Sequence, residues 1–198
     1  MADPDAARRD LERILGEDQV LSDPLARRLY ARDASMVEGS CALVAFPRST
    51  ADIVACLRAA ADHGLSVVPR GSGTGLAGAA TPIGDALVVV TAKMTRVLEV
   101  RPEDRLAWVE PGVPNLDLAN HLRPLGWTYA PDPSSQQTSS IGGNVNTNAG
   151  GPHCLAYGVT RVFGTGSLGP VVVSAIGLGL AAAAFARRTR QGAPVPAR

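Results

Sequence analysis

The sequence predicts an α+β or α/β protein, folded as one large domain or two small lobes. Short apolar runs of strand length alternate with segments of helical spacing, and the turns between them fall at glycine or proline. Two polar, glycine-rich stretches at residues 69–78 and 131–151 interrupt this pattern and divide the chain.

Two short helices open the chain, the second with Ser22 as its N-cap, Asp23 in the first turn and Pro24 just inside. Residues 1–40 read as a helical arm. A strand at 42–46 leads through Ser49 and Thr50 as caps into a helix at 51–63, with Ile53, Val54, Leu57 and Ala61 on one face and Gly64 as its stop. A strand at 66–68 runs straight into the first glycine stretch. Three further strands are expected at 86–91, 97–100 and 106–110, and Pro111-Gly112 turns the chain. A helix at 115–125 follows, with Leu116, Leu118 and Leu122 placed for burial and Gly126 closing it. No internal repeat is visible.

Composition narrows the function classes. With 45% hydrophobic residues in 198, the chain can bury a true core. A net charge of +1 gives no footprint for nucleic acid or an anionic membrane. Cys41, Cys56 and Cys154 are odd in number and widely spaced, which argues against a disulfide framework and against a zinc site, and no metal is expected. The acidic N-terminal stretch lacks the basic and apolar regions of an export signal, so a cytoplasmic location is expected.

The stretch at 69–78 contains Gly73-x-Gly75-x-x-Gly78, which alone would suggest a Rossmann turn. Spacing rejects it. Residues 79–85 hold a proline and a glycine and then give way to another strand, leaving no room for the crossover helix, and position 93 is a lysine where a ribose-binding acid would stand. As a loop the segment suits a diphosphate, because glycines present consecutive N–H groups without Cβ obstruction. Arg70 adds a positive charge, Ser72 and Thr74 add hydroxyls, and no carboxylate occurs from Ser66 to Gly84. The same glycines would also suit a plain flexible surface loop.

The second stretch, residues 131–151, is long and nearly uncharged, so it either stays mobile or wraps a polar, extended ligand. Ser139 or Ser140 can cap a short helix there whose first N–H groups face a phosphate.

In order along the chain, Pro69-Arg-Gly-Ser-Gly-Thr-Gly-Leu, Trp108-Val-Glu-Pro-Gly-Val, Pro131-Asp-Pro-Ser-Ser, Ile141-Gly-Gly-Asn and Asn148-Ala-Gly-Gly-Pro-His-Cys-Leu-x-Tyr-Gly-Val-Thr160 resemble the vanillyl-alcohol-oxidase, or PCMH-type, FAD-binding flavoproteins. The branch of D-lactate dehydrogenases and glycolate oxidase flavoprotein subunits is the most similar. The resemblance covers about residues 10–160 and implies a two-lobed FAD-binding domain, incomplete on its C-terminal side, over residues 41–160.

The resemblance also implies a site. Pro69, Arg70, Gly71, Ser72, Gly73, Thr74, Gly75 and Leu76 would cradle the FAD pyrophosphate. Pro131, Ser134, Ser135, Ile141, Gly142, Gly143, Asn144, Gly150, Gly151, Tyr157 and Gly158 would line the rest of the cofactor. Some relatives attach FAD through a histidine of the first loop; here Thr74 occupies the matching place, so FAD is expected to be non-covalent. Ala156 stands where relatives often carry lysine. The implied reaction is oxidation of a small 2-hydroxy acid, of D-lactate or glycolate type, by hydride transfer to FAD, with electrons passing on to an unidentified acceptor. The arginine and the base that such a reaction needs lie, in such proteins, in a later substrate domain. No catalytic residue is therefore assigned, and the chain alone is not expected to turn over. The alternative is a non-catalytic FAD-binding subunit of a split flavoenzyme, with a second chain supplying the substrate domain.

His63 and His121 fit solvated or helix-capping positions better than catalysis, and His153-Cys154, without a third partner, fits a structural role. Residues 161–198 carry five arginines and no acid and turn rich in Ala and Gly, an atypical tail where the family pattern breaks off. An uncharged run at 168–186 followed by Arg187-Arg188 admits a marginal membrane span, a buried strand and helix, or, the favoured reading, sequence foreign to the family such as a shifted frame.

Overall fold

The computed structural model describes residues 2–160, 181–184 and 186–187. The first lobe is built on β4 (Ala86–Val90), five apolar residues that are all buried. An unbroken valine-rich run suits a strand covered on both faces. β2 (Leu43–Ala45) and β3 (Ser66–Arg70) flank it in parallel, each pairing a residue with Val88, and β1 (Val20–Leu21) adds an antiparallel edge beside β2. Two helices cover one face. α1 (Pro4–Leu15) starts at Asp3, whose side chain accepts from the Ala6 N–H, and α3 (Thr50–Asp62) starts at Ser49, which accepts from the Asp52 N–H. Ala7, Leu11 and Leu15 meet Cys56, Ala59, Ala60, Leu43, Leu87 and Val89 there. Val44, Val88 and Val90 point to the other face, toward Tyr30 and Phe46, whose rings pack edge-on at 5.3 Å.

β2 reaches β3 through α3. β3 reaches its parallel neighbour β4 with no helix at all, so residues 71–85, the first glycine stretch, are themselves the crossover. That places the loop at the C-terminal end of β3, where open parallel sheets hold their ligands.

The second lobe pairs β5 (Val97–Arg101) with β6 (Leu106–Val109) in antiparallel fashion, with a register shift between Val97 and Glu99. α4 (Asn115–Leu122), β7 (Trp127–Thr128) and α5 (Ile141–Thr147) complete it around Val109, Val113, Leu118, Leu122, Tyr129 and Ile141. α6 (Cys154–Tyr157) is a single short turn. Beyond it, β8 (Ala181–Ala184) pairs antiparallel with β6, and β9 (Ala186–Arg187) with β7.

Several expectations are corrected. Asp23, not Ser22, caps α2 (Pro24–Arg28), because its side chain accepts from the Ala26 N–H. The helix expected at 115–125 ends at Leu122, and Arg123–Leu125 forms a 3-10 turn; Pro124 has no N–H to continue the helix and its ring crowds the preceding turn. Leu116 is only half-buried. α3 turns Ile53, Cys56, Ala59 and Ala60 inward, whereas Val54 and Ala61 are exposed. The small side chains of that stripe let α3 lie close to α1 and the sheet, which outweighs the size of Val54. Among the described residues no helix is long and apolar enough to cross a membrane. Residues 168–180 of the candidate span lie outside the described residues, and 181–184 are a strand.

The lobes join through the turn after β6. The Gly112 N–H donates to the Met94 carbonyl at 2.8 Å and the Glu110 N–H to the Arg96 carbonyl at 2.9 Å. The buried Glu110 carboxylate accepts from the Arg96 N–H at 2.8 Å, from Nε at 2.9 Å and from Nη2 at 2.6 Å. Burial opposes that charge, but the hydrogen bonds from Arg96 outweigh it and hold the carboxyl below the ordinary glutamate range. A pKa lower in the folded state stabilises fully above the unfolded value and fades as pH falls through the folded one. Glu110→Gln is therefore expected to cost about 1–3 kcal/mol at pH 7. The difference from the parent should shrink as pH falls below the ordinary glutamate range and the parent carboxylate protonates. Urea unfolding of both proteins at pH 7 and pH 3 measures this.

Candidate functional site

Two glycine loops approach each other between the lobes. The first leaves β3 at Arg70, whose guanidinium turns inward and is 9% exposed. Its Nη1 donates to the Arg32 carbonyl at 2.8 Å, and the group lies 5.6 Å from the Tyr30 ring centre. Burial pulls this guanidinium below its ordinary range, against the opposing charge of Asp33. Gly73 sits directly over Arg70 with φ +73°, and a Cβ on it would lie 2.1 Å from Nη2. A Cβ on Gly75 or Gly78 would make only ordinary contact, 3.9 Å from Asp33 Oδ2 and 3.6 Å from Ser35 Oγ.

The second loop is pinned to α4. Asn115, 1% exposed, donates from Nδ2 to the Pro131 carbonyl at 2.9 Å, and its N–H donates to the Ser139 carbonyl at 2.8 Å. Ser140 then caps α5 by accepting from the Gly143 N–H, as expected for one of the two serines. The Ile141 and Gly142 N–H groups donate to the carbonyls of Val113 and Pro111, both at 2.8 Å, so the start of α5 leans on the Pro111-Gly112 turn.

Gly71 is where the two loops touch. A Cβ there would stand 2.3 Å from Ser140 Oγ and 3.8 Å from Gly143 Cα, so only glycine lets the strand end meet the helix start. The Ser139 hydroxyl and the Asn144 Nδ2 are buried beside this contact without a hydrogen-bond partner among the described residues. Buried polar groups are rarely left so, and these two fit a polar ligand.

A third segment closes the far side. Asn148 ends α5 in the left-handed region at φ +53°, and the Thr160 Oγ1–H and N–H both reach the Ala149 carbonyl, at 2.6 and 3.0 Å. Gly151 packs on Asp132, where a Cβ would come within 2.3 Å of the main-chain oxygen. His153 Nδ1 meets Asp132 Oδ2 at 2.5 Å, which gives His153 a structural partner. Tyr129 lies beneath, its phenol pushed up by burial to about 12.

Of the expected residues, Arg70, Pro131, Ile141 and Asn144 are buried and the glycines of both loops half-buried, while Pro69, Ser72, Leu76 and Ser134 are exposed. Asp33, Asn115 and Asp132 were not expected. Asp33 also corrects the picture of a carboxylate-free loop, since the arm brings one against it from outside the segment. The cysteines stay free, and burial raises the thiols of Cys41 and, to about 12, Cys56, so neither is a nucleophile. His63 Nε2 pairs with Asp10 at 2.8 Å, just ahead of β3 and so at the strand end opposite the first loop.

Two glycine loops meet at the end of a parallel strand pair, beside buried donors that have no partner among the described residues, an arrangement suited to an extended nucleotide cofactor. The chain belongs to the FAD binding domain family, whose model matches residues 41–166. It is 37% identical over 155 residues to the glycolate oxidase subunit GlcD of Bacillus subtilis, covering 78% of this chain and 33% of that protein. It is 34% identical over 162 residues to the D-2-hydroxyglutarate dehydrogenase of Stutzerimonas stutzeri, covering 81% and 35%. An alkyldihydroxyacetonephosphate synthase structure superposes with a TM-score of 0.75 at 21% identity, over 91% of this chain and 40% of that one, and shares the fold. The chain thus spans about a third of the length of these curated relatives.

Proposed function

We propose that this chain is the FAD-binding part of a flavin-dependent oxidoreductase that oxidises a small 2-hydroxy acid of glycolate or D-lactate type. The observation that carries the cofactor assignment is the Gly71–Ser140 contact, which brings both glycine loops to one place beside the unpartnered Ser139 and Asn144. Residues 69–76 would hold the diphosphate by main-chain N–H groups, Ser72 and Thr74. Pro131, Ser135, residues 141–144, Gly150 and Gly151, and the Tyr157-Gly158 segment would follow the rest of the cofactor. FAD supplies the hydride acceptor; the chain's own share is to bind and orient it. The substrate class rests on the two relatives, whose names give glycolate and D-2-hydroxyglutarate. A second subunit for this chain is suggested by the word subunit in the name of the first, and a cytoplasmic site by three widely spaced cysteines that form no disulfide.

A second reading is a non-catalytic FAD-binding subunit of a split flavoenzyme, with a second chain supplying the substrate domain, in line with the word subunit in the name of one relative. Dye reduction with glycolate, D-lactate or D-2-hydroxyglutarate by the chain extended into the neighbouring reading frame, with no second protein added, separates the two: turnover excludes the second, whereas the 198-residue chain alone should be inactive under either.

The bound flavin should be non-covalent, because the first loop offers Thr74 and neither histidine nor cysteine. FAD added to the purified chain should quench its fluorescence on binding, and acid precipitation should release all the yellow colour. Flavin fluorescence that stays with the denatured polypeptide on a gel contradicts the assignment.

A further inference from the structure

The arm ahead of the matched segment folds onto the first glycine loop. Residues 31–39 close on themselves, with Arg32 bridging Glu38 in antiparallel fashion and the Gly39 N–H donating to the Ala31 carbonyl at 2.9 Å. At the heart of this turn Asp33 is 7% exposed. Its Oδ1 accepts from the Ser35 N–H at 2.9 Å and its Oδ2 from the Ala80 N–H at 3.3 Å, across 47 residues. The next residue, Ala34, donates its N–H to the Gly73 carbonyl at 3.1 Å. Arg32 and Tyr30 hold Arg70, as described above. The arm thus grips the loop at its entry, its middle and its exit.

A loop of this composition has no side-chain packing to define it, and glycine loses more freedom on ordering than any other residue. Unsupported, it would pay that entropy at the moment a ligand bound. Held from outside, its N–H groups are arranged beforehand. A carboxylate is nevertheless an odd choice beside a loop read as an anion site, because its charge opposes a diphosphate. Its merit is geometric: two oxygens accept from two separate main-chain donors, which an amide with one acceptor oxygen cannot do.

We propose that Asp33 is a positioning residue for the flavin diphosphate, fixing the main chain of the first glycine loop from outside the segment that matches the family. The proposal rests on the reading of residues 69–76 as the diphosphate loop. It extends the functional site into the N-terminal arm, so that Tyr30, Asp33 and Ser35 belong to cofactor binding as well as to the fold.

Asp33→Asn in the full chain separates position from charge, because the two predict opposite signs. Removing an anion near a diphosphate tightens FAD if charge is all that Asp33 contributes. Losing the anchor weakens FAD, by about tenfold, if Asp33 positions the loop. Fluorescence titration with FAD at low and at 0.5 M salt reads this, and weakening at both supports the proposal. Hydrogen–deuterium exchange of the ligand-free proteins gives an answer that does not depend on FAD. Amides at 72–81 should exchange about tenfold faster in the variant, while those of β4 stay unchanged. Ser35→Ala removes the hydroxyl that accepts from the Val37 N–H at 3.3 Å in the same turn and leaves both Asp33 contacts to main chain in place; it should loosen the same amides by a smaller factor and guards against failure of the first variant to fold. If the parent chain binds no FAD, the diphosphate reading falls and the proposal with it. If the parent binds and Asp33→Asn binds as well or better, or loop exchange is unchanged in both variants, the proposal alone is overturned.

Discussion

Gly73→Val is expected to reduce FAD retention to under about a tenth of the parent's while leaving the sheet of the first lobe intact. Gly73 has φ +73°, a region that a β-branched residue adopts only at a cost of about 1–3 kcal/mol. Its Cβ would also fall 2.1 Å from Arg70 Nη2 and 2.5 Å from Cζ. A long side chain on the surface would simply swing away. Arg70 cannot do so freely, since its guanidinium is buried, donates to Arg32 and lies over Tyr30. The loop must therefore lift, and the N–H groups on either side of residue 73 turn with it. Far-ultraviolet circular dichroism should stay close to the parent while flavin content after gel filtration collapses. Unchanged flavin content would remove the first loop from the binding site.

The alternation of apolar runs and helical spacing made most elements legible, because local pattern and final burial agree along β2 and β4 and, at Leu118 and Leu122, along α4. The glycine loop was legible for a second reason. Its spacing excluded a Rossmann helix, and the structure explains how the chain manages without one, by using residues 71–85 as a bare crossover between parallel strands. Asp33 and Asn115 were not legible. Asp33-Ala-Ser can be read locally as a turn in which the carboxylate accepts from the N–H two residues on, but nothing in the string announces Ala80 as its other partner. Asn115 looks like any residue at a helix start until the Pro131 carbonyl arrives beside it. The inward face of α3 was misread because pattern rewards large apolar residues, whereas close approach of a helix to a sheet rewards small ones. Such long-range choices belong to packing rather than to any local signal.

Gly112→Ala should be the most damaging single-methyl change among the glycines of the site, and its effect should fall on the whole fold rather than on the cofactor. A Cβ at Gly112 would stand 2.2 Å from the Thr91 carbonyl oxygen and 2.7 Å from that of Met94, with the Thr91 carbonyl carbon at 3.1 Å. These are main-chain atoms of the turn leaving β4, and Thr91 and Met94 are themselves buried, so neither neighbour can rotate aside. The Gly112 N–H bond to Met94 is one of the few ties between the lobes and would be lost as they part. Forced overpacking together with a broken buried hydrogen bond places the expected loss at about 3–5 kcal/mol, in the tail of single-residue effects. Gly126→Ala supplies the comparison. Gly126 has φ +79° with nothing within 4 Å of its would-be Cβ, so that change carries backbone strain alone, about 1–2 kcal/mol. Urea midpoints of the two variants against the parent decide the matter. A Gly112 variant no less stable than the Gly126 variant would mean that the lobes can separate at this turn without penalty, and that the contact between the two glycine loops is not held by it.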